Sequence, residues 1–443
     1  MPIRDMLVTL AVLITLPYIF KRPYIGVLVW SWLSYMNPHR MCWGFAFDMP
    51  FAQIVALVLI AAMCLDKSKK SLPYDKTLII WALFLTWITI TSIFALFPES
   101  AWILYIKVLK IQLVTFFTMI LLTDQKKINQ LIWVIVLSIG YFSVKGGVFT
   151  LVHGGAFRVW GPPGGYIEEN NSLALATLMI VPLMVYLYQI TPKKWIRYSL
   201  AGAIILSLLS ALGSQSRGAL LAVIAVGGYF WLVSSHKIIT GPTLILLAFL
   251  GFSFMPGSWH ERMDTIQNYE EDASAMQRLN AWQYSINVAS DRLTGGGMQA
   301  WKLESFLIWA PNPHYVHSAH SIFFSILGDH GWPGLVLFLL ILAMSWWNLS
   351  WVIKNAKGTE SAKLAKMIKV SLVAYCSGGA FLSLAYFDLP WHFYAIAILL
   401  RHQNKIQEVP KFLHRNIKQS HRNSGQPREL EAPAHPVTVK SSL

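Results

Sequence analysis

The sequence predicts an all-helical, polytopic membrane protein with about twelve transmembrane helices and one large loop outside the membrane. Of its 443 residues, 55% are hydrophobic and only 13% are charged, and the mean hydropathy is +0.49. Soluble globular proteins are about one quarter charged, so water is not the main solvent of this surface. Runs without Asp, Glu, Lys or Arg recur, each long enough for a core about 30 Å thick: Thr77–Phe97, Asn171–Pro192, Tyr198–Ser216, Ile238–His260 and Gly331–Ile353.

In chain order, the apolar segments give thirteen provisional spans, at residues 6–20, 23–36, 50–65, 77–97, 101–123, 129–151, 171–190, 197–213, 216–234, 239–255, 319–352, 368–387 and 390–400. The first two are short and are interrupted at Lys21-Arg22-Pro23. They can also form a re-entrant hairpin, which lowers the number of complete spans to twelve or eleven. The first segment lacks a small-residue cleavage site and is followed directly by another apolar segment, so we expect it to be retained rather than removed as a signal peptide.

Lysine and arginine collect in alternate connections, which predicts that those connections lie in the cytoplasm: residues 21–22, 67–76, 126–127, 193–197, 237 and 354–369. The large connection, residues 256–318, then lies outside. Polar and basic composition after a transmembrane domain at residues 1–400 predicts a disordered cytoplasmic tail at 401–443. The net charge of +15 therefore reflects topology and attraction to anionic membrane lipid, with no nucleic-acid partner.

The large loop is not disordered in composition. Met276, Leu279, Trp282, Ile286 and Ala289 recur at helical spacing, which predicts an amphipathic helix over roughly residues 274–290, lying on the outer surface.

Arginines at the predicted outer boundary are candidates for binding an anion. Arg217 lies between two apolar spans with no room for a real loop, next to a helix N-terminus. Both the guanidinium fork and the helix N-terminus favour phosphate, whereas the alternative is an arginine that reaches lipid headgroups; these two interpretations are balanced. Arg278 lies four residues before Trp282, a spacing that permits a cation–π contact, and Arg158 is flanked by Phe157 and Trp160; for both arginines a solvated side chain is the favoured interpretation. Arg292 is expected to be solvated.

Histidines cluster where the large loop re-enters the membrane, at His314, His317 and His320. A metal site is disfavoured because, in a helix, the third histidine is rotated away and no carboxylate has partner spacing. His320 is a candidate general base, with a helix-capping histidine as the alternative. The following run, residues 328–334, is rich in glycine and predicts a break in the helix.

Lysines within a predicted span form a third group. Lys107 and Lys110 lie three residues apart, and intramembrane lysines rarely face lipid. They predict the lining of a path for an anionic headgroup or, alternatively, side chains that extend to the outer boundary.

Together these motifs resemble the O-antigen ligase and polysaccharide polymerase superfamily of bacterial inner-membrane proteins. More closely, the chain is similar to the O-glycosylation ligases associated with exosortase A systems. The resemblance covers about residues 1–400 and rests on the order of the motifs. These are the opening Arg4–Pro38 region, Arg158-Val159-Trp160-Gly161-Pro162-Pro163, Asn170-Asn171-Ser172-Leu173-Ala174, Ser216-Arg217-Gly218, Arg278 with Trp282, and His320-Ser321 followed by Gly328 and Gly331-Trp332-Pro333-Gly334.

The resemblance implies a GT-C-like glycosyltransferase in the bacterial inner (cytoplasmic) membrane, with its active site on the periplasmic face. It implies inverting, metal-independent transfer of a glycan from undecaprenyl diphosphate to a hydroxyl acceptor (lipid A-core, a protein Ser/Thr or another glycan), without a cofactor. By motif, Arg217 and Arg278 would hold the donor diphosphate and His320 would act as the base. The donor site would also include Arg158, Trp282, His317, Lys107 and Lys110.

Two alternatives stay open: a polysaccharide polymerase of the same superfamily, and a glycolipid transporter or flippase. Transporters place polar sites near the bilayer midplane and often contain repeated halves. Here the polar residues cluster at one face and no repeat is evident, which favours the enzyme. The family is usually drawn with twelve spans and both termini in the cytoplasm, whereas the alternation here gives thirteen with the N-terminus outside.

Overall fold

Helices make up the regular structure of the computed structural model, which describes residues 3–68, 71–264, 273–382 and 384–423. Within these residues the α-helices are α1 Ile3–Lys21, α2 Tyr24–Met36, α3 Phe51–Leu65, α4 Lys76–Ile93, α5 Pro98–Leu121, α6 Gln125–Val152, α7 Asn170–Ile190, α8 Lys194–Gly213, α9 Arg217–Val233, α10 Lys237–Phe254, α11 Gly257–Asp264, α12 Ala273–Asp291, α13 Leu303–Trp309, α14 Ile322–Asn355, α15 Glu360–Gly379 and α16 Asp388–Asn423. Short 3₁₀ turns occupy Pro38–Met41 and Phe45–Asp48.

Eight of these helices are long and apolar enough to cross a membrane, namely α1, α4, α5, α6, α7, α8, α10 and α14. Three shorter ones, α2, α3 and α9, are also apolar. Large apolar side chains such as Ile103 (76% exposed) and Ile245 (72% exposed) point away from the protein interior, as expected for a lipid-facing surface. The predicted class, an all-helical multi-pass membrane protein, is confirmed. The total of twelve spans stays a prediction.

Several helices begin at side-chain caps at the ends of the bundle. Asp75 accepts a hydrogen bond from the Thr77 backbone N–H, and Ser216 accepts one from Ala219. Such caps satisfy backbone donors that a helix cannot pair internally, where apolar surroundings would make an unpaired donor costly.

The bundle has two ends with different character. The end that we call the loop end carries residues 37–50, 94–97, 153–169, 214–216, 255–264, 273–321, 380–382 and 384–387. The opposite end, which we call the tail end, is fastened by an ion pair of 3.5 Å between Arg401 and Asp75 and by a hydrogen bond of 3.0 Å from Asn129 to Glu360. The candidate residues of the large loop therefore lie together at one end.

The glycine-rich run in α14 breaks the helix, as predicted. Gly331 has φ 67° and ψ −174°, which is not helical. A residue with a side chain rarely adopts this conformation, and a Cβ atom here would lie 2.2 Å from the Leu293 carbonyl oxygen. Glycine at this position permits both the break and the close approach of the large loop.

The predicted amphipathic helix over 274–290 is confirmed as α12, which packs against α14. Arg292, at the end of α12, corrects one expectation. It is not a solvated arginine, since its guanidinium donates to the carbonyl oxygens of Gly295 (2.9 Å) and Phe94 (2.8 Å). It thereby joins the large loop to the end of α4.

Two predicted boundaries change. The span predicted from residue 319 begins at Ile322 because Ser321 caps α14, so His320 lies before the helix. The last helix continues through residues 401–423 to Asn423, where we expected disorder, and residues 424–443 lie outside the described residues.

Candidate active site

The connection between α8 and α9 places Arg217 at the loop end. Only Ser214, Gln215 and Ser216 separate the two helices, and Gln215 makes the reversal with φ 54°. The Asn170 side chain donates to the Ser214 carbonyl oxygen at 2.7 Å, which fixes the turn to the start of α7. Arg217, the first residue of α9, is half-buried. The guanidinium thus belongs to a helix N-terminus, as predicted.

Residues 153–169 cover this turn. The Val159 N–H donates to the Gly213 carbonyl oxygen at 3.3 Å, and the Gln215 side chain donates to the Gly155 carbonyl oxygen at 3.2 Å. Arg158, directly before Val159, is exposed. The structure therefore brings Arg158 beside the turn that carries Arg217, on an open surface rather than in an enclosed site.

His320 lies in a strained segment immediately before α14. Its φ is 41°, a left-handed conformation that costs an L-residue about 1–3 kcal/mol and persists only where the surrounding structure holds it. Trp282 of α12 supplies part of that support, because its indole N–H donates to the Ala319 carbonyl oxygen at 2.7 Å. The same indole stacks on Phe324 with 4.8 Å between ring centroids and 12° between planes. Trp282 thus contacts residues before and after His320 in the sequence.

Burial keeps the His320 imidazole uncharged at neutral pH. Burial lowers the pKa of His320 to about 4, with smaller contributions from His317 and Arg278. The His317 and His320 rings lie 4.6 Å apart, and the His317 Nδ1–H donates to the Ser318 carbonyl oxygen at 2.8 Å. The Nδ1 atom of His320 is buried, with no hydrogen-bond partner among the described residues. At neutral pH the His320 imidazole is therefore uncharged, and Arg278 lies nearby.

Phe381 connects Arg217 to the histidine group. Its ring lies 6.2 Å from that of Trp282, and a Cβ atom on Gly218 would lie 3.2 Å from the Phe381 Cβ. Gly218, next to Arg217, and Trp282, which supports the segment before α14, therefore both lie near Phe381. Sequence reasoning missed Phe381, because a phenylalanine at the end of an apolar helix carries no signal that distinguishes it from a core residue.

The two lysines belong elsewhere. The Lys107 ammonium lies 3.9 Å from the centroid of the Tyr166 ring, within the electrostatic range of the Asp388 carboxyl. Ser34 donates to Asp388 at 2.5 Å. Lys110 is exposed on α5. The structure thus assigns Lys107 to a second polar group at the loop end and does not pair it with Lys110.

Within the described ranges, no group of three or more His, Cys, Asp or Glu side chains is arranged to hold a metal ion.

Two known protein families match parts of the chain. Residues 202–339 match a family described as O-antigen ligase, and residues 3–191 match a family of unknown function (DUF5935). The chain carries an O-antigen ligase domain. This domain contains Arg217, Arg278, Trp282, His317 and His320. No curated protein shows significant similarity to the chain.

An O-antigen ligase domain implies a ligase-type glycosyltransferase that acts on lipid-linked glycans. Four of the residues discussed above lie outside the O-antigen ligase match. Lys107, Lys110 and Arg158 lie in the DUF5935 match, and Phe381 lies beyond both matches.

Proposed function

We propose that this protein is a periplasm-facing glycosyltransferase of the bacterial inner membrane, which transfers a glycan from undecaprenyl diphosphate to a hydroxyl acceptor. Two observations support this proposal: Arg278 acts electrostatically on His320, and Phe381 lies near both Trp282 and Gly218, the residue next to Arg217.

The two arginines would bind the donor diphosphate. When the bond between the sugar and the diphosphate breaks, negative charge develops on the leaving oxygen. A guanidinium group is always charged and matches phosphate oxygens with two parallel hydrogen bonds. Arg217 adds a helix N-terminus to this charge. We propose that these groups supply the charge stabilisation without a metal ion.

His320 would act on the acceptor. In a single displacement, the acceptor oxygen forms a bond to the anomeric carbon as the bond from that carbon to the diphosphate oxygen breaks, which inverts the configuration. The hydroxyl proton moves to Nε2 of His320, because Nδ1 is buried. A neutral imidazole is the form that this step requires.

The charge distribution supports the orientation. At the tail end, a cavity of about 440 Å³ is lined in part by Arg22, Lys126 and Lys127, together with Asp124, and a second of about 340 Å³ is lined in part by lysines. Basic residues favour the cytoplasmic side, so the loop end would face the periplasm.

The experiment is glycan transfer by the purified protein in lipid nanodiscs, with a polyprenyl diphosphate-linked glycan and candidate acceptors. Acceptors to compare are lipid A-core, a Ser/Thr peptide and a free glycan; the peptide is included because of the resemblance to exosortase-associated ligases. We expect Arg217→Ala and His320→Ala to abolish transfer, while Arg22→Ala at the tail end retains it. Normal turnover by both loop-end variants would refute the assignment.

The product distinguishes the alternatives. A ligase adds one glycan to each acceptor, whereas a polymerase would give a ladder of products from the donor alone. Movement of the glycolipid across the bilayer without any product would identify a transporter.

A further inference from the structure

We infer that Asp329 is a positioning residue: its side chain docks the large loop onto the break in α14 and thereby fixes Arg278 of α12 relative to His320. The catalytic consequence rests on the proposed function, whereas the docking itself is a property of the fold.

The break in α14 leaves a carbonyl group that the helix cannot satisfy. The Asp329 carbonyl oxygen would normally accept from the N–H four residues later, but that residue is Pro333, which has none. The Gly297 N–H of the large loop donates to it instead, at 3.0 Å, and the Gly296 N–H donates to the Gly328 carbonyl oxygen at 2.8 Å. A loop turn thus replaces the missing helical donor.

The turn at residues 295–297 fits only because it consists of glycines. Gly295 and Gly297 have φ 63° and 79°. A Cβ atom on Gly295 would lie 2.7 Å from the Gly328 carbonyl oxygen, and one on Gly297 would lie 2.3 Å from the Ala95 Cβ. The large loop is therefore packed tightly between α14 and the end of α4.

The side chain of Asp329 adds a second attachment. It is buried, and its two oxygens accept hydrogen bonds from the Trp301 indole N–H (3.1 Å) and the Tyr386 hydroxyl (2.7 Å). Trp301 contacts Tyr284 of α12, with 5.2 Å between ring centroids. Arg278 lies six residues before Tyr284 on the same helix. One carboxyl group therefore links α14, which follows His320, to the helix that carries Arg278.

A series of buried, hydrogen-bonded side chains leads to this carboxyl group. Tyr386 also lies 2.9 Å from Nε2 of His330, and Nδ1 of His330 lies 2.6 Å from the Thr91 hydroxyl. With Nε2 protonated, Thr91 donates to His330, His330 to Tyr386, and Tyr386 to Asp329.

The donor and acceptor roles in this series of hydrogen bonds can be reversed without loss of a bond. In Asp329→Asn, the amide oxygen still accepts from Trp301 and the amide N–H donates to Tyr386. Tyr386 then donates to Nε2 of His330, whose other tautomer donates from Nδ1 to Thr91; the Thr91 hydroxyl already lies 3.0 Å from the Ile88 carbonyl oxygen as an alternative acceptor. Asp329→Asn therefore preserves the docking but removes the charge, whereas Asp329→Ala removes both attachments.

The experiment compares these two variants in the full-length protein with a matched control. Asn348→Ala serves as the control, because Asn348 is a buried, hydrogen-bonded residue of the same helix at the tail end. Spin labels at positions 283 of α12 and 336 of α14, in a background with Cys42, Cys64 and Cys376 replaced by alanine, report the distance between the helices. Transfer is measured on the same variants without labels.

We expect Asp329→Ala to broaden the distance distribution and to lower kcat about 100-fold, the size of effect that a misplacement of about 1 Å produces. Asp329→Asn should keep the narrow distribution and stay within about threefold of the parent, and Asn348→Ala should leave the distance unchanged. If Asp329→Ala does not fold, Trp301→Phe removes one of the two bonds and should broaden the distribution in part.

Two results would overturn the inference. One is an unchanged distance distribution in Asp329→Ala and Trp301→Phe. The other is an inactive Asp329→Asn with a narrow distribution, which would mean that the carboxylate takes part in the chemistry. If the parent itself transfers no glycan but the distances respond as expected, the proposed function fails and the docking stands.

Discussion

The pH dependence of transfer tests the assignment of His320 most directly. A general base is active only when neutral, so activity falls as the pH drops through its pKa. Burial, and to a smaller extent His317 and Arg278, lower the pKa of His320 to about 4 from the ordinary value of 6.5. At pH 5.5 an imidazole with this pKa is almost fully neutral, whereas about one tenth of an unperturbed histidine is neutral, so the fraction of the maximal rate retained at this pH should be about tenfold higher.

The assay is initial rate against pH at saturating donor, in nanodiscs, with folding checked across the range. The acid limb should lie near pH 4. Titration of isotope-labelled histidine by NMR, with the His320 signal assigned from its loss in His320→Gln, gives the same quantity without relying on turnover. Arg278→Gln should move the His320 titration upward, since removing a nearby positive charge makes protonation easier. An acid limb and an NMR titration both near 6.5 in the parent would refute the reasoning.

Three further predictions follow from the site. Trp282→Ala removes the bond to the Ala319 carbonyl and the support of the segment that carries His320, so kcat should fall about 100-fold in single-turnover kinetics; an unchanged kcat would contradict this role. Gly218→Val should lower activity at least tenfold because its side chain meets Phe381, whereas Gly227→Val in the same helix meets open space and should not; equal rates would show that this packing is unimportant. Treatment with EDTA should leave the rate unchanged, and a loss restored by a divalent ion would contradict the metal-independent mechanism.

The position of Arg217 could be predicted from sequence because the argument is local. Two uncharged runs flank it at a separation too small for a loop, so only a tight turn at the membrane boundary fits, and the structure shows that turn. The helix α12 was predictable for the same reason, because its apolar periodicity extends over four turns. Both inferences need only the residues within one or two helices.

The rest depends on contacts between distant segments. Lys107 and Lys110 are chemically equivalent in sequence, and only the position of Tyr166 in the folded chain distinguishes them. Arg292 reads as a solvated arginine until the carbonyl of Phe94, nearly 200 residues earlier, is placed beside it. Asp329 was recognisable as part of a helix break but not as an acceptor for Trp301. Such roles depend on tertiary packing, which cannot be inferred from a single sequence.

The matched domain is not a self-sufficient unit in this chain. Residues 202–339 contain Arg217, Arg278, His317 and His320 of the proposed site, yet residues at the break in α14 form hydrogen bonds with residues outside this range. His330 bonds to Thr91, and Trp87 donates to the His330 carbonyl at 2.8 Å; both partners belong to α4, within the DUF5935 match. Tyr386, which completes the hydrogen bonds of Asp329, lies beyond both matches. If Asp329 positions Arg278 as we infer, the DUF5935 region and residues after 339 form part of the glycosyltransferase itself, because without them the break in α14 would leave buried polar groups unpaired.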